Sequence, residues 1–158
     1  MLVFRILHKK YGDPLFCPGV EGRWNSEGKK VLYCSESIPL AFVESMIRRQ
    51  GVGFNHDFQI AYIEIPETTG IKIIRAADLP KGWENPHDYT KCQPLADEWY
   101  DRQESLVLQV PSAVLSLCSN YLLNSLHPDF GKIKPPRITP LMPDARIDDI
   151  LKQSKPVK

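Results

Sequence analysis

The sequence predicts an α+β fold, with mixed sheets of short, mostly antiparallel strands and few helices. Three observations predict it. Apolar runs are short and are bounded by Gly, Pro, Asn or Asp. Only a few segments carry the apolar spacing of a helix. Fourteen prolines in 158 residues interrupt the chain repeatedly. A chain of this length reads as one domain, residues 1–158, able to bury a core of its own.

Taken in order, Leu2 to Leu7 reads as an opening strand with Arg5 among apolar residues. Asp13 to Gly22 is a loop marked by Pro14, Pro18 and two glycines. Trp24 to Gly28 is a turn, and Val31 to Cys34 a short strand. Ser35 or Ser37 can cap a helix that tolerates Pro39 in its first turn and runs to about Arg49. Ile38, Phe42 and Met46 form its buried stripe, and Gly51 can end it. Asp57 to Ile65 is the clearest strand, followed by a strand at Ile71 to Ile74. Asp78 to Tyr89 is irregular. Leu95 to Arg102 is helical and carries Trp99. Strands follow at Ser105 to Val110, halted by Pro111, and at Asn120 to Asn124. His127-Pro128-Asp129 is a turn, Pro135-Pro136 a break, and Asp144 to Gln153 includes a short helix. The basic tail from about residue 152 reads as a frayed terminus. The sequence shows no internal repeat, low-complexity segment or linker.

Composition narrows the function classes. A net charge of +1 and a pI near 7.7 give no broad basic footprint, so nucleic acid is not the expected partner. Cys17, Cys34, Cys92 and Cys118 lack zinc-like spacing and read as free thiols. No leader pattern and no bilayer-length apolar run is visible, so a cytoplasmic, non-membrane protein is expected. A G-x-G-x-x-G turn, a P-loop and an H-E-x-x-H pair are all missing, so any dinucleotide is held by another architecture.

The segment Gly22 to Glu44 sets a cation, an aromatic face and a carboxylate on a loop, a strand and a helix. That trio suits a phosphate-bearing nucleotide whose glycosidic bond is to be broken. Glu44 either pairs with Arg48 on the wet helix face, or faces a cleft and stabilises an oxocarbenium-like transition state. Arg23 either stacks on Trp24 or offers its fork to phosphate oxygens. Tyr33 is a core aromatic with one wet edge, or a platform for a flat ring. Ser112 is a turn serine, or a hydroxyl that binds ribose or phosphate; no G-x-S-x-G elbow surrounds it. Asn120, Asn124 and His127 form a polar cluster with either turn chemistry or a place near a site. His8, His56 and His87 carry no motif.

These segments together resemble the RES-domain toxins of bacterial toxin–antitoxin systems, a family named for an Arg, a Glu and a Ser. The resemblance spans nearly the whole chain. It runs through Phe4-Arg5-Ile6, Gly22-Arg23-Trp24-Asn25, Gly28, Val31-Leu32-Tyr33, Ser35-Glu36 and Ala41 to Glu44. It continues through Leu79-Pro80, Gly82-Trp83, Asp97-Glu98-Trp99, Val110-Pro111-Ser112, Asn120 to Asn124 and His127-Pro128. Departures are Ser125 after the asparagine motif, where the family often has Pro, Cys118 at an often charged position, and a Pro-rich C-terminal stretch.

The resemblance places the family's Arg, Glu and Ser on Arg23, Glu44 and Ser112, and a functional Tyr on Tyr33. It implies a fold related to ADP-ribosyltransferase toxins, NAD as substrate, and an Xre-type helix-turn-helix antitoxin as partner. NAD is then degraded by hydrolysis or phosphorolysis, or its ADP-ribose goes to a protein. On this reading Arg23, Tyr33 and Glu44 are catalytic. Arg23, Tyr33, Ser112, Asn120 and His127 contact NAD or inorganic phosphate, and no metal is expected. A homodimer through apolar Trp99, Tyr100 and the strand edges is also expected. The rival without chemistry is an interaction module in which Glu44 pairs with Arg48.

Overall fold

The structure is a computed structural model that describes residues 1–50 and 52–153. Its centre is one seven-stranded sheet. The strands are β1 (Leu2–His8), β2 (Val31–Ser35), β3 (Phe58–Glu64), β4 (Ile71–Ile73), β5 (Val107–Pro111), β6 (Ser119–Asn124) and β7 (Arg137–Pro140). Their spatial order is β4-β5-β6-β2-β1-β3-β7. Only the β4–β5 pair is parallel. Three α-helices stand among the described residues: α1 (Ile38–Arg48), α2 (Gln93–Arg102) and α3 (Ala145–Gln153). This is the α+β arrangement expected.

Pairing is uneven across the sheet, and that unevenness makes room for a site. β1 matches β3 along its full length, from Leu2↔Glu64 to His8↔Phe58. β2 matches β6 in the same way, from Val31↔Asn124 to Ser35↔Asn120. The two halves meet between β1 and β2 through the single pair Phe4↔Ser35. Beyond it the two strands part, and residues 4–6 and 33–35 line a cleft.

Three apolar clusters hold the halves. Val3, Leu7, Leu32, Ile63 and Leu123 fill one. Trp24, Trp83, Trp99, Leu108 and Leu122 fill another, with α2 packed on β5 and β6. Phe54, Phe58 and Ile60 form the third, against which Ile38, Phe42 and Met46 of α1 pack at helical spacing. Ser37 caps α1 by accepting the Leu40 amide, a contact worth about 1 kcal/mol.

Several boundaries differ from expectation. Gly51, the expected end of α1, lies outside the described residues; Arg49 is the cap, and Gln50 turns the chain at φ 53°. α2 starts at Gln93 because Pro94 fits a helix's first turn. Pro111 continues β5 rather than halting it. β7 was not expected; it is an edge strand, where its terminal Pro140 is tolerated. The expected tail is helical through Gln153, and residues 154–158 lie outside the described residues. Trp99 and Tyr100 are core residues, 0% and 5% exposed, so they offer no apolar surface for a homodimer. All four cysteines are free thiols. No described helix is long and apolar enough to cross a membrane.

Candidate active site

The cleft between β1 and β2 lies under the flank of α1 and opens to solvent. Its polar lining is Arg5, Tyr33, Ser35, Glu44, Ser45, Arg48 and Asn120.

Glu44 is fixed by residues far away in sequence. Its Oε1 accepts from Ser112 Oγ at 2.8 Å and from Asn120 Nδ2 at 2.6 Å. Asn120 Oδ1 in turn accepts from Ser35 Oγ at 2.7 Å. Ser35 and Asn120 stand opposite each other on β2 and β6, so the sheet register itself aims the amide at the carboxylate. Oε2 has no protein partner among the described residues. The expected pair with Arg48 does not form, because two better-placed neutral donors hold the carboxylate. The rival picture of a solvated ion pair on a wet helix face loses its basis.

Ser112 is 0% exposed, at the end of β5. Its amide donates to Cys118 O at 2.9 Å, closing the connection to β6. Its hydroxyl accepts from the amides of Val114 and Leu115 at 3.1 and 3.0 Å and gives its proton to Glu44. A hydroxyl has one proton and two lone pairs, so this one is fully engaged. The expected contact to ribose or phosphate has no free valence in this arrangement.

Tyr33 sits in a second knot. Its hydroxyl donates to Asn25 Oδ1 at 2.7 Å and accepts from the Trp24 amide at 3.1 Å. Burial pushes the phenol well above its ordinary pKa, so it stays protonated. Asn25 is 1% exposed and donates to the carbonyls of Val20, Ser26 and Lys29. Gly22 is required here: a Cβ on it would lie 2.7 Å from Tyr33 Oη. The other edge of Tyr33 faces the cleft, with the Arg48 guanidinium 5.7 Å from the ring centroid.

Arg23 does not stack on Trp24, as one of its two expected roles would have it. Its guanidinium donates to the carbonyls of Trp83, Glu84 and Asn85 and lies 5.0 Å from the Tyr89 ring centroid. Trp24 pairs instead with Trp83, 6.1 Å away. Arg23 does not line the cleft, but the turn it belongs to carries the partners of Tyr33.

Of the remaining candidates, only Asn120 reaches Glu44. Asn124 is buried at the far end of β6, about 13 Å along the strand, where it donates to Tyr100 O. His127 follows it and caps a short 3₁₀ turn, its Nδ1 accepting from the Asp129 amide at 3.1 Å. Sequence reasoning did not assign Arg5, Ser35 or Arg48 to the site. For Arg48 a signal existed: four residues after Glu44, it shares that helix face. Among the described residues no three His, Cys, Asp or Glu side chains converge to hold a metal ion.

The RES domain model matches residues 2–147. The chain belongs to the RES-domain family. Among curated relatives, the Toxin Res of Yersinia enterocolitica is 30% identical over 134 residues, covering 82% of this chain and 88% of the relative. The Toxin Res of Photorhabdus laumondii is 30% identical over 136 residues, covering 84% and 86%. The Prs ADP-ribosylating toxin of a Sphingobium species is 27% identical over 128 residues, covering 80% of each. That last name accords with the ADP-ribosyltransferase-like fold expected for a RES domain with this mixed sheet and few helices. Glu44 and Ser112, the residues expected to carry the family's Glu and Ser, are joined directly through one hydrogen bond.

Proposed function

We propose that this RES domain is a toxin enzyme that cleaves the nicotinamide–ribose bond of NAD. The observation that carries the reading is Glu44. Ser112 and Asn120 hold one carboxylate oxygen and leave the other open in a cleft that Tyr33 and Arg48 also line. Such a preorganised negative charge stabilises the positive charge that grows on ribose as the C–N bond lengthens. The nicotinamide ring is cationic in NAD and departs neutral, taking the bonding electrons, so no acid is needed to protonate it. Water or inorganic phosphate then forms the new bond to the ribose carbon; water loses a proton to solvent. Tyr33, a neutral phenol with a fixed hydroxyl, serves as a platform and not as a base.

Arg23 supports the site from outside the cleft by tying residues 83–85 to the turn that holds Tyr33. A direct grip on the pyrophosphate would require it to leave three carbonyls. His127 is left with a structural role in its turn. A chain that destroys NAD must be silenced in its own cell. The matching partner is an Xre-type helix-turn-helix antitoxin that covers or fills the cleft.

Incubating the purified chain with NAD, with and without phosphate, and weighing the products tests this reading. ADP-ribose marks hydrolysis, and a phosphorylated ADP-ribose formed only with phosphate marks phosphorolysis. The relative named for ADP-ribosylation supports a second reading, transfer to a protein. That reaction adds an ADP-ribosyl mass to a protein in a lysate. Intact NAD in every arm overturns both.

A further inference from the structure

Arg48 is an arginine without a protein acceptor among the described residues, beside a cleft whose lining carboxylate, Glu44, has one oxygen held by Ser112 and Asn120. Its guanidinium makes no hydrogen bond or ion pair among the described residues. It lies over the face of Tyr33, 5.7 Å from the ring centroid. A cation–π contact of this kind uses none of the guanidinium's N–H donors, which stay free for an anion. Arg5 lines the same cleft from β1. One of its nitrogens donates to the carbonyls of Pro14 and Phe16, both at 3.0 Å, and the rest of its fork has no acceptor among the described residues. The two charges feel each other, since Arg48 adds to burial in lowering the Arg5 pKa. The charged groups facing the cleft are these two cations and Glu44. Positive charge therefore exceeds negative charge there, beside a carboxylate with one oxygen held by Ser112 and Asn120.

We infer that Arg48, with Arg5 behind it, is the phosphate-binding subsite of this cleft. The inference rests on the proposed nucleotide chemistry and deepens it. It assigns the anion-contacting role to Arg48, because the guanidinium of Arg23 is engaged by backbone carbonyls. A planar fork held against Tyr33 fits the paired oxygens of a phosphoryl group. That group is either part of the dinucleotide's diphosphate or a free phosphate acceptor.

The test is titration of the wild-type chain with inorganic pyrophosphate and with inorganic phosphate, followed by calorimetry or phosphorus NMR. Arg48→Ala and Arg48→Lys are titrated in parallel. Arg48 is exposed, so both variants are expected to fold with an unchanged Tm. At least one of the two anions is expected to bind the wild type, with about a tenfold loss in Arg48→Ala and a partial loss in Arg48→Lys. Where the wild type turns over NAD, a KM for NAD raised by Arg48→Ala assigns the dinucleotide's diphosphate. A raised KM for phosphate alone assigns the acceptor. Neither anion binding, or equal binding by wild type and Arg48→Ala, overturns the subsite. Binding through Arg48 in a chain that leaves NAD intact keeps the subsite and removes only the NAD reading.

Discussion

In the proposed reaction a single carboxylate oxygen carries much of the chemistry, and its neighbours decide where it points. Ser112 does this without exposing any of itself to the cleft. Ser112→Ala therefore removes one hydrogen bond to Glu44 and leaves the Val114 and Leu115 amides without their acceptor. The expected result is a kcat lower by about tenfold or more with KM for NAD unchanged. Chemical denaturation should show a stability loss of about 1–3 kcal/mol. A purely structural serine would lower stability and leave the kcat of the folded fraction intact. From sequence, Ser112 and Asn120 were visible as polar residues near strand ends, and Glu44 as a carboxylate in an apolar helix. Their convergence was not legible, because 68 and 76 residues separate them from Glu44 and only the sheet register joins them.

Among the elements, the turn from Gly22 to Asn25 acts as a bracket. It holds Tyr33 from one side and, through Arg23, the segment 83–85 from the other. Asp97 of α2 anchors the next residue, accepting from the Ser26 amide at 3.1 Å and from its hydroxyl at 2.5 Å. Arg23→Ala should loosen residues 83–89 and lower stability by about 1–3 kcal/mol, read by thermal and denaturant unfolding. An unchanged KM for NAD in that variant would count against a direct phosphate grip and leave the bracket role standing. Strong local patterns made most elements legible: Asp57 to Ile65 fills two strand faces with apolar residues, and Ser37 with the Ile38, Phe42, Met46 stripe marks α1. β7 was not legible, because prolines at 135, 136 and 140 mask a short edge strand that exists only by pairing with β3.

For the molecule as a whole, the cleft lies where two well-paired half-sheets meet through one residue pair, Phe4↔Ser35. Stability there rests on buried neutral groups, which gives a pH signature. Burial raises Cys17 from 9.0 to about 11 and Cys34 from 9.0 to about 12. The unfolded chain releases both protons near pH 9 while the folded chain keeps them. Stability is thus full below about pH 9 and falls as pH rises toward the folded values, at about 1.4 kcal/mol per pH unit for each thiol. Urea unfolding between pH 8 and 10.5 checks this, and Cys34→Ala should shallow the slope by about one proton. A slope unchanged in that variant would assign the loss to other groups. In the proposed reaction Glu44 drives NAD cleavage from a fold that does not need its charge. The most direct test is NAD turnover by wild type and Glu44→Gln at matched folded concentration. The account predicts a Tm within a few degrees of wild type and loss of turnover by a factor of about a hundred or more. A well-folded Glu44→Gln protein that consumes NAD at the wild-type rate would contradict it.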